Sequence, residues 1–153
     1  MAIENELDEL YQELILDHYR NPRNTGTLPG AQIHAEQFNP FCGDQVTLQI
    51  SVNRDGTVES VAHQGQGCSI SQASASMLTE LIKGKTLENA HALSDIVRHL
   101  LRGEQIDPVE METLGEFEAL QGVSKFPIRI KCALLAWTTL EEGIEHYLKP
   151  QSQ

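Results

Sequence analysis

Three cysteines carry the reactive potential of this chain: Cys42, Cys68 and Cys132. Each is expected at an element boundary. Cys42 sits in Asn39-Pro40-Phe41-Cys42-Gly43-Asp44, a turn between two strands. Cys68 follows Gly65-Gln66-Gly67 at a strand-to-helix junction, and Cys132 is expected in the first turn of the last helix. Backbone N–H groups at a helix start favour anions and so favour a thiolate, which is both metal ligand and nucleophile. Arg129 and Lys131 add positive charge beside Cys132. Three thiolates leave a tetrahedral Zn²⁺ one ligand short. Asp44, separated from Cys42 only by Gly43, is the natural fourth donor. Spacing alone leaves two readings open, because the cysteines are far apart and form no C-x-x-C pair: three unconnected cysteines, or one shared metal or redox site.

The elements that must position these residues are set by periodicity. Leu7, Leu10, Tyr11, Leu14, Ile15 and His18 recur at helical spacing over about Glu4 to Tyr19, and Asn21-Pro22 stops that helix. Ile33 to Phe38 is a short strand. Val46, Leu48, Ile50 and Val52 alternate with polar residues, as in a half-buried strand. Asn53-Arg54-Asp55-Gly56 supplies a turn, and Val58 and Val61 belong to the returning strand of a hairpin. Gly65-Gln66-Gly67 breaks that pattern. Ser69 or Ser71 then caps a helix ending at Gly84, and Thr86 caps another over Leu87 to about Leu101. The acidic stretch Gly103 to Lys125 is the least regular; Leu114, Phe117, Leu120 and Val123 could form one short packed helix there, and the acidic run Glu110 to Glu118 reads as a solvated face. Phe126-Pro127 reads as a break, and a long helix runs from Arg129 to about Leu148. Strands and helices are segregated, which defines an α+β class.

Composition narrows the function. A length of 153 residues fits one domain. Eleven Lys+Arg against 22 Asp+Glu give a net charge of -11, which argues against a nucleic-acid binder needing a basic face. No apolar run approaches the roughly 20 residues that span a bilayer. The acidic N-terminus lacks the basic and apolar regions of a secretory signal, so a cytoplasmic location is expected. An odd cysteine count in a reducing compartment disfavours a disulfide framework.

Three motifs decide between the two readings of the cysteines. Asn39-Pro40-Phe41-Cys42-Gly43-Asp44, Gly65-Gln66-Gly67-Cys68-Ser69-Ile70-Ser71 and Phe126-Pro127-Ile128-Arg129-Ile130-Lys131-Cys132-Ala133, in that order, resemble the U-type iron–sulfur cluster assembly family, IscU-like and similar to the NifU N-terminal part. So does the opening Asp17-His18-Tyr19-Arg20-Asn21-Pro22. The scaffold branch of that family carries His before its third cysteine, where this chain has Lys131. The segment 103–125 resembles the insertion that marks the SufU branch.

The resemblance implies a single domain over 1–153 with an insertion at about 103–125. It implies a small antiparallel three-stranded sheet packed by several helices, with the metal site at one exposed end. It implies Zn²⁺ on Cys42, Asp44, Cys68 and Cys132, with Cys42 as the sulfur-accepting thiol and Arg129 as a cation orienting the site. The partners implied are a cysteine desulfurase of the SufS type and downstream iron–sulfur assembly proteins. The activity is then at most that of a zinc-dependent sulfurtransferase. Two alternatives remain: a scaffold holding a transient [2Fe–2S] cluster, or an adaptor whose zinc is purely structural.

Overall fold

The computed structural model describes residues 12–40 and 43–149. Helix α1 covers 12–20, and the part of the expected first helix before residue 12 lies outside the described residues. Three strands come next: β1 (Ile33–Asn39), β2 (Asp44–Val52) and β3 (Val58–Gln66). Then come α2 (Ser69–Ile82), α3 (Leu87–Leu101), α4 (Pro108–Leu114), a 3₁₀ segment (Gly115–Lys125) and α5 (Pro127–Leu148). The strands form one antiparallel sheet in the order β1-β2-β3. Sheet and helices are segregated, as an α+β chain requires. Among the described residues no helix is long and apolar enough to cross a membrane.

Strand register brings distant parts of the chain to one end of the sheet. Asn39 pairs with Asp44 across β1 and β2, and Gln45 pairs with Gln66 across β2 and β3. The start of β2 therefore lies beside the end of β3, where the chain enters α2. The alternation Val46, Leu48, Ile50 turns three aliphatic side chains into the core, all buried. The hairpin turn is closed by Asp55, whose Oδ1 accepts the N–H (3.0 Å) and the hydroxyl (2.6 Å) of Thr57.

Helix α5 is the central helix and packs on β1, β2, α2 and α3. It approaches the sheet closely at Gly143. A Cβ there would fall 2.8 Å from Ile33 Cγ2 and 3.2 Å from Ala35 Cβ, so only glycine fits without displacing the strand. The α2–α5 contact is pinned by the Ser74 hydroxyl, which donates to the Ala133 carbonyl at 2.7 Å. Arg98 of α3 pairs with Glu141 of α5.

Several local expectations change in the folded chain. Strand β3 does not break at Gly65 but runs through Gln66, because Gly65 sits against β2 where a Cβ would lie 2.0 Å from the Gln45 carbonyl oxygen. Residue Cys68 itself, not Ser69 or Ser71, occupies the N-cap of α2. Phe126-Pro127 is a start rather than a break: Pro127 takes the first helical position, where its missing N–H costs nothing. Leu114, Phe117, Leu120 and Val123 are buried, but Phe117 to Val123 ride on a 3₁₀ segment. Their spacing of three matches three residues per turn better than 3.6.

The link between α1 and β1 is tied to β3 through one residue. His63 donates its backbone N–H to the Asn24 carbonyl (2.9 Å), accepts the Gly26 N–H (3.1 Å), and places its Nε2 3.0 Å from the Arg23 carbonyl. Its Nδ1 is buried and finds no partner among the described residues. Burial pushes the imidazole pKa below its ordinary 6.5, with the Arg23 carbonyl opposing more weakly. The unfolded chain therefore takes a proton at His63 before the folded chain does. Stability is full above about pH 6.5 and declines as pH falls from there through the lower folded value. Urea midpoints for wild type and His63→Gln between about pH 7.5 and pH 5 check this: the variant is expected to lose part of the decline. Asp17, whose carboxyl is lowered by the Arg23 guanidinium, titrates below 3.8 and lies outside that window.

Candidate metal centre

Three elements converge at one end of the molecule. Asp44 opens β2, Cys68 caps α2 and Cys132 lies on α5, and one donor atom from each falls within 4.8 Å of the other two. Asp44 is 1% exposed, and its carboxylate is held by the Cys68 backbone N–H at 2.9 Å. The other carboxylate oxygen lies 3.8 Å from Cys68 Sγ. Tetrahedral zinc with ordinary Zn–S and Zn–O lengths would separate a sulfur and an oxygen ligand by about 3.6 Å. The described donors thus match the size and chemistry of such a centre.

Local sequence explains this placement. The β2–β3 register carries Asp44 to the level of Gly67 and Cys68. Gly67 leaves room for the carboxylate: a Cβ there would meet Asp44 Oδ1 at 2.1 Å and Ser71 Oγ at 2.9 Å. The Ser71 hydroxyl in turn donates to the Cys68 carbonyl at 3.1 Å. Cys68 makes no side-chain cap to α2, so its thiol is left to the site. It is partly exposed, whereas Cys132 is buried.

Cys132 departs from its expected position. Because α5 begins at Pro127, Cys132 is its sixth residue, in the second turn, with Sγ 3.7 Å from the Ile128 carbonyl. It therefore lies one turn beyond the helix start, where the pull of the helix's N-terminal N–H groups has faded. Cys42 lies outside the described residues. Arg129 is exposed and lines a groove of about 960 Å³ with Ser69, Ile70, Lys125 and Phe126, next to the Cys68 end of α2. Gly67 is the site residue that motif reading did not single out. The pair Gly67-Cys68 at the foot of a hairpin carried that signal, because a carboxylate crossing the strand end needs an unsubstituted Cα.

Fold and donor set together define a class. The chain belongs to the NifU-like N-terminal domain family, whose pattern it matches over residues 10–133. Among individual proteins, it is 48% identical over 144 residues to the zinc-dependent sulfurtransferase SufU of Bacillus subtilis, covering 94% of this chain and 95% of that protein. It is 41% identical over 147 residues to the iron–sulfur cluster assembly scaffold protein IscU of Streptococcus pyogenes serotype M1, covering 96% and 90%. Among solved structures, a candidate iron–sulfur cluster assembly scaffold protein for the SUF system from Fervidobacterium islandicum superposes with a TM-score of 0.80 at 32% identity, over 86% of this chain and 94% of that one.

Proposed function

We propose that this chain is a zinc-dependent sulfur acceptor that takes persulfide sulfur from a cysteine desulfurase of the SufS type for iron–sulfur cluster assembly. The observation that carries this reading is the meeting of Asp44, Cys68 and Cys132 donor atoms within 4.8 Å of one another, two residues along the chain from a third cysteine. The similarity to a sulfurtransferase named for its zinc dependence supports it. Zinc, when bound, holds coordinated thiols in their deprotonated, nucleophilic form. Cys42, Asp44, Cys68 and Cys132 would supply its ligands.

Within this reading each residue has a separate task. The Cys42 thiolate attacks the outer sulfur of the partner's persulfide. The sulfur–sulfur bond breaks, the partner's cysteine leaves as a thiolate, and Cys42 becomes the persulfide, so no external oxidant is needed. Cys68 and Cys132 stay in place and keep the centre intact. Arg129 acts as a positioning cation at the site's open edge. Phe126 and Ile128, 60% and 69% exposed beside Arg129, offer the apolar area a docking partner would cover. Downstream iron–sulfur assembly proteins then take the sulfur from Cys42.

Desulfurase turnover with a reductant present tests the acceptor role. Cys42→Ala is expected to abolish the stimulation that the wild-type chain gives, and undiminished stimulation would end this reading. The similarity to scaffold proteins favours a second reading, in which a nascent [2Fe–2S] cluster is the cargo. Acid-labile sulfide in aerobically purified protein, in place of about one zinc per chain, would select it.

A further inference from the structure

A second group of donors lies toward the other end of α2 from Cys68. His18 of α1 is fully enclosed, at 0% exposure. Its Nδ1 lies 2.8 Å from Ser76 Oγ, and that oxygen also accepts the Arg23 backbone N–H at 2.9 Å. Its Nε2 faces two carboxylates, Glu116 at 3.0 Å and Glu80 at 3.9 Å. One donor atom from each of the three residues lies within 4.8 Å of the others. The glutamates come from different elements, Glu80 from α2 and Glu116 from the 3₁₀ segment.

A hydrogen-bonded lock explains only part of this arrangement. Nε2 carries at most one proton, and Glu116 at 3.0 Å takes it, while Glu80 at 3.9 Å lies beyond hydrogen-bond reach. The second carboxylate then stands beside the first, with mutual repulsion and no bond to the ring. Arg23, whose field reaches both glutamates, is already paired with Asp17 at 2.6 Å. An ion on the ring's lone pair would satisfy both carboxylates at once. The far ring nitrogen would then be oriented by Ser76, as imidazoles that bind metals are usually oriented by an outer partner. Glu80 and Glu116 are about half exposed, at 47% and 52%, so an ion can enter and water can complete its shell.

We propose that His18, Glu80 and Glu116 form a second metal site that takes a divalent first-row transition ion through one imidazole nitrogen and two carboxylate oxygens. Imidazole with carboxylates suits Mn²⁺, Fe²⁺ or Zn²⁺, a different preference from that of a thiolate-rich centre. The two sites are chemically and spatially distinct. Glu80 lies twelve residues along α2 from Cys68, about 18 Å at helical rise. Occupancy would tie the 3₁₀ segment to α1 and α2 through Glu116.

The test uses full-length protein carrying one equivalent of zinc, titrated with Mn²⁺ alone. Free Mn²⁺ is followed by electron paramagnetic resonance, and ¹H–¹⁵N resonances are followed for paramagnetic broadening. One saturable Mn²⁺ per chain is expected, with broadening centred on His18, Glu80 and Glu116. Glu80→Gln and Glu116→Gln, both at half-exposed positions, are each expected to weaken binding about tenfold or more, with unchanged urea midpoints of the metal-free chains showing that the fold is kept. Glu112→Gln should leave it unchanged. The proposal is overturned by the absence of a saturable site tighter than about 1 mM. It is equally overturned by unchanged affinity in the doubly substituted chain, or by broadening centred on Asp44, Cys68 and Cys132.

Discussion

Asp44→Ala is expected to weaken zinc binding more than about 100-fold, beyond the usual loss from removing a partner that only supports a ligand. The substitution acts twice. It removes the oxygen donor that Asp44 would give to the proposed centre, and it strips the Cys68 backbone N–H of the acceptor it holds at 2.9 Å. Leaving that donor unsatisfied costs about 1 kcal/mol or more even without metal. Asp44→Asn separates the two effects. Its amide oxygen can still accept the Cys68 N–H, so the metal-free chain should keep its urea midpoint while zinc affinity still falls. Competition with a chromophoric chelator reads the affinity, and urea denaturation of the stripped protein reads the fold. Wild-type zinc affinity in Asp44→Asn would remove Asp44 from the ligand set.

Phe117→Ala should destabilise the chain by about 3–5 kcal/mol, a large share of the stability of an ordinary domain. Phe117 lies within an acidic stretch but is expected on its packed side, and its side chain is 0% exposed. It meets Trp137 of α5 edge to face, with ring centroids 5.4 Å apart and planes at 83°. Leu114, Leu120 and Val123 are buried on either side of it. The 3₁₀ segment is therefore part of the core and not an appendage to it. Urea denaturation measures the loss, and a drop of less than about 1 kcal/mol would show that the segment packs independently of α5.

Elements specified by near neighbours were legible without coordinates. Thr86 caps α3 by accepting the Asn89 N–H at 3.0 Å, a local contact that its position before Leu87 already implied. The alternation from Val46 to Val52 predicted β2 because one face of that strand is buried. The misreadings share one cause, that local signals have different meanings in different tertiary settings. Proline at 127 stops a helix from one side and starts one from the other. Glycine at 65 ends an isolated strand, but within a sheet it permits close approach to a neighbour. At the metal centre, cysteine and aspartate types pointed to the chemistry, whereas the clearance provided by Gly67 depends on strand register. The His18, Glu80 and Glu116 group was hidden for a similar reason. Its members are 62 and 36 residues apart along the chain, and no local pattern links them.

Gly143 extends its influence well beyond its own contact. It sets the gap between α5 and β1, and Cys132 lies eleven residues up the same rigid rod, about 16 Å away. Any side chain that lifted the rod at 143 would swing its far end as a lever, carrying one sulfur out of coordination range while every donor residue remained chemically intact. The aim of that thiol is thus governed by a hydrogen atom at the opposite end of the helix.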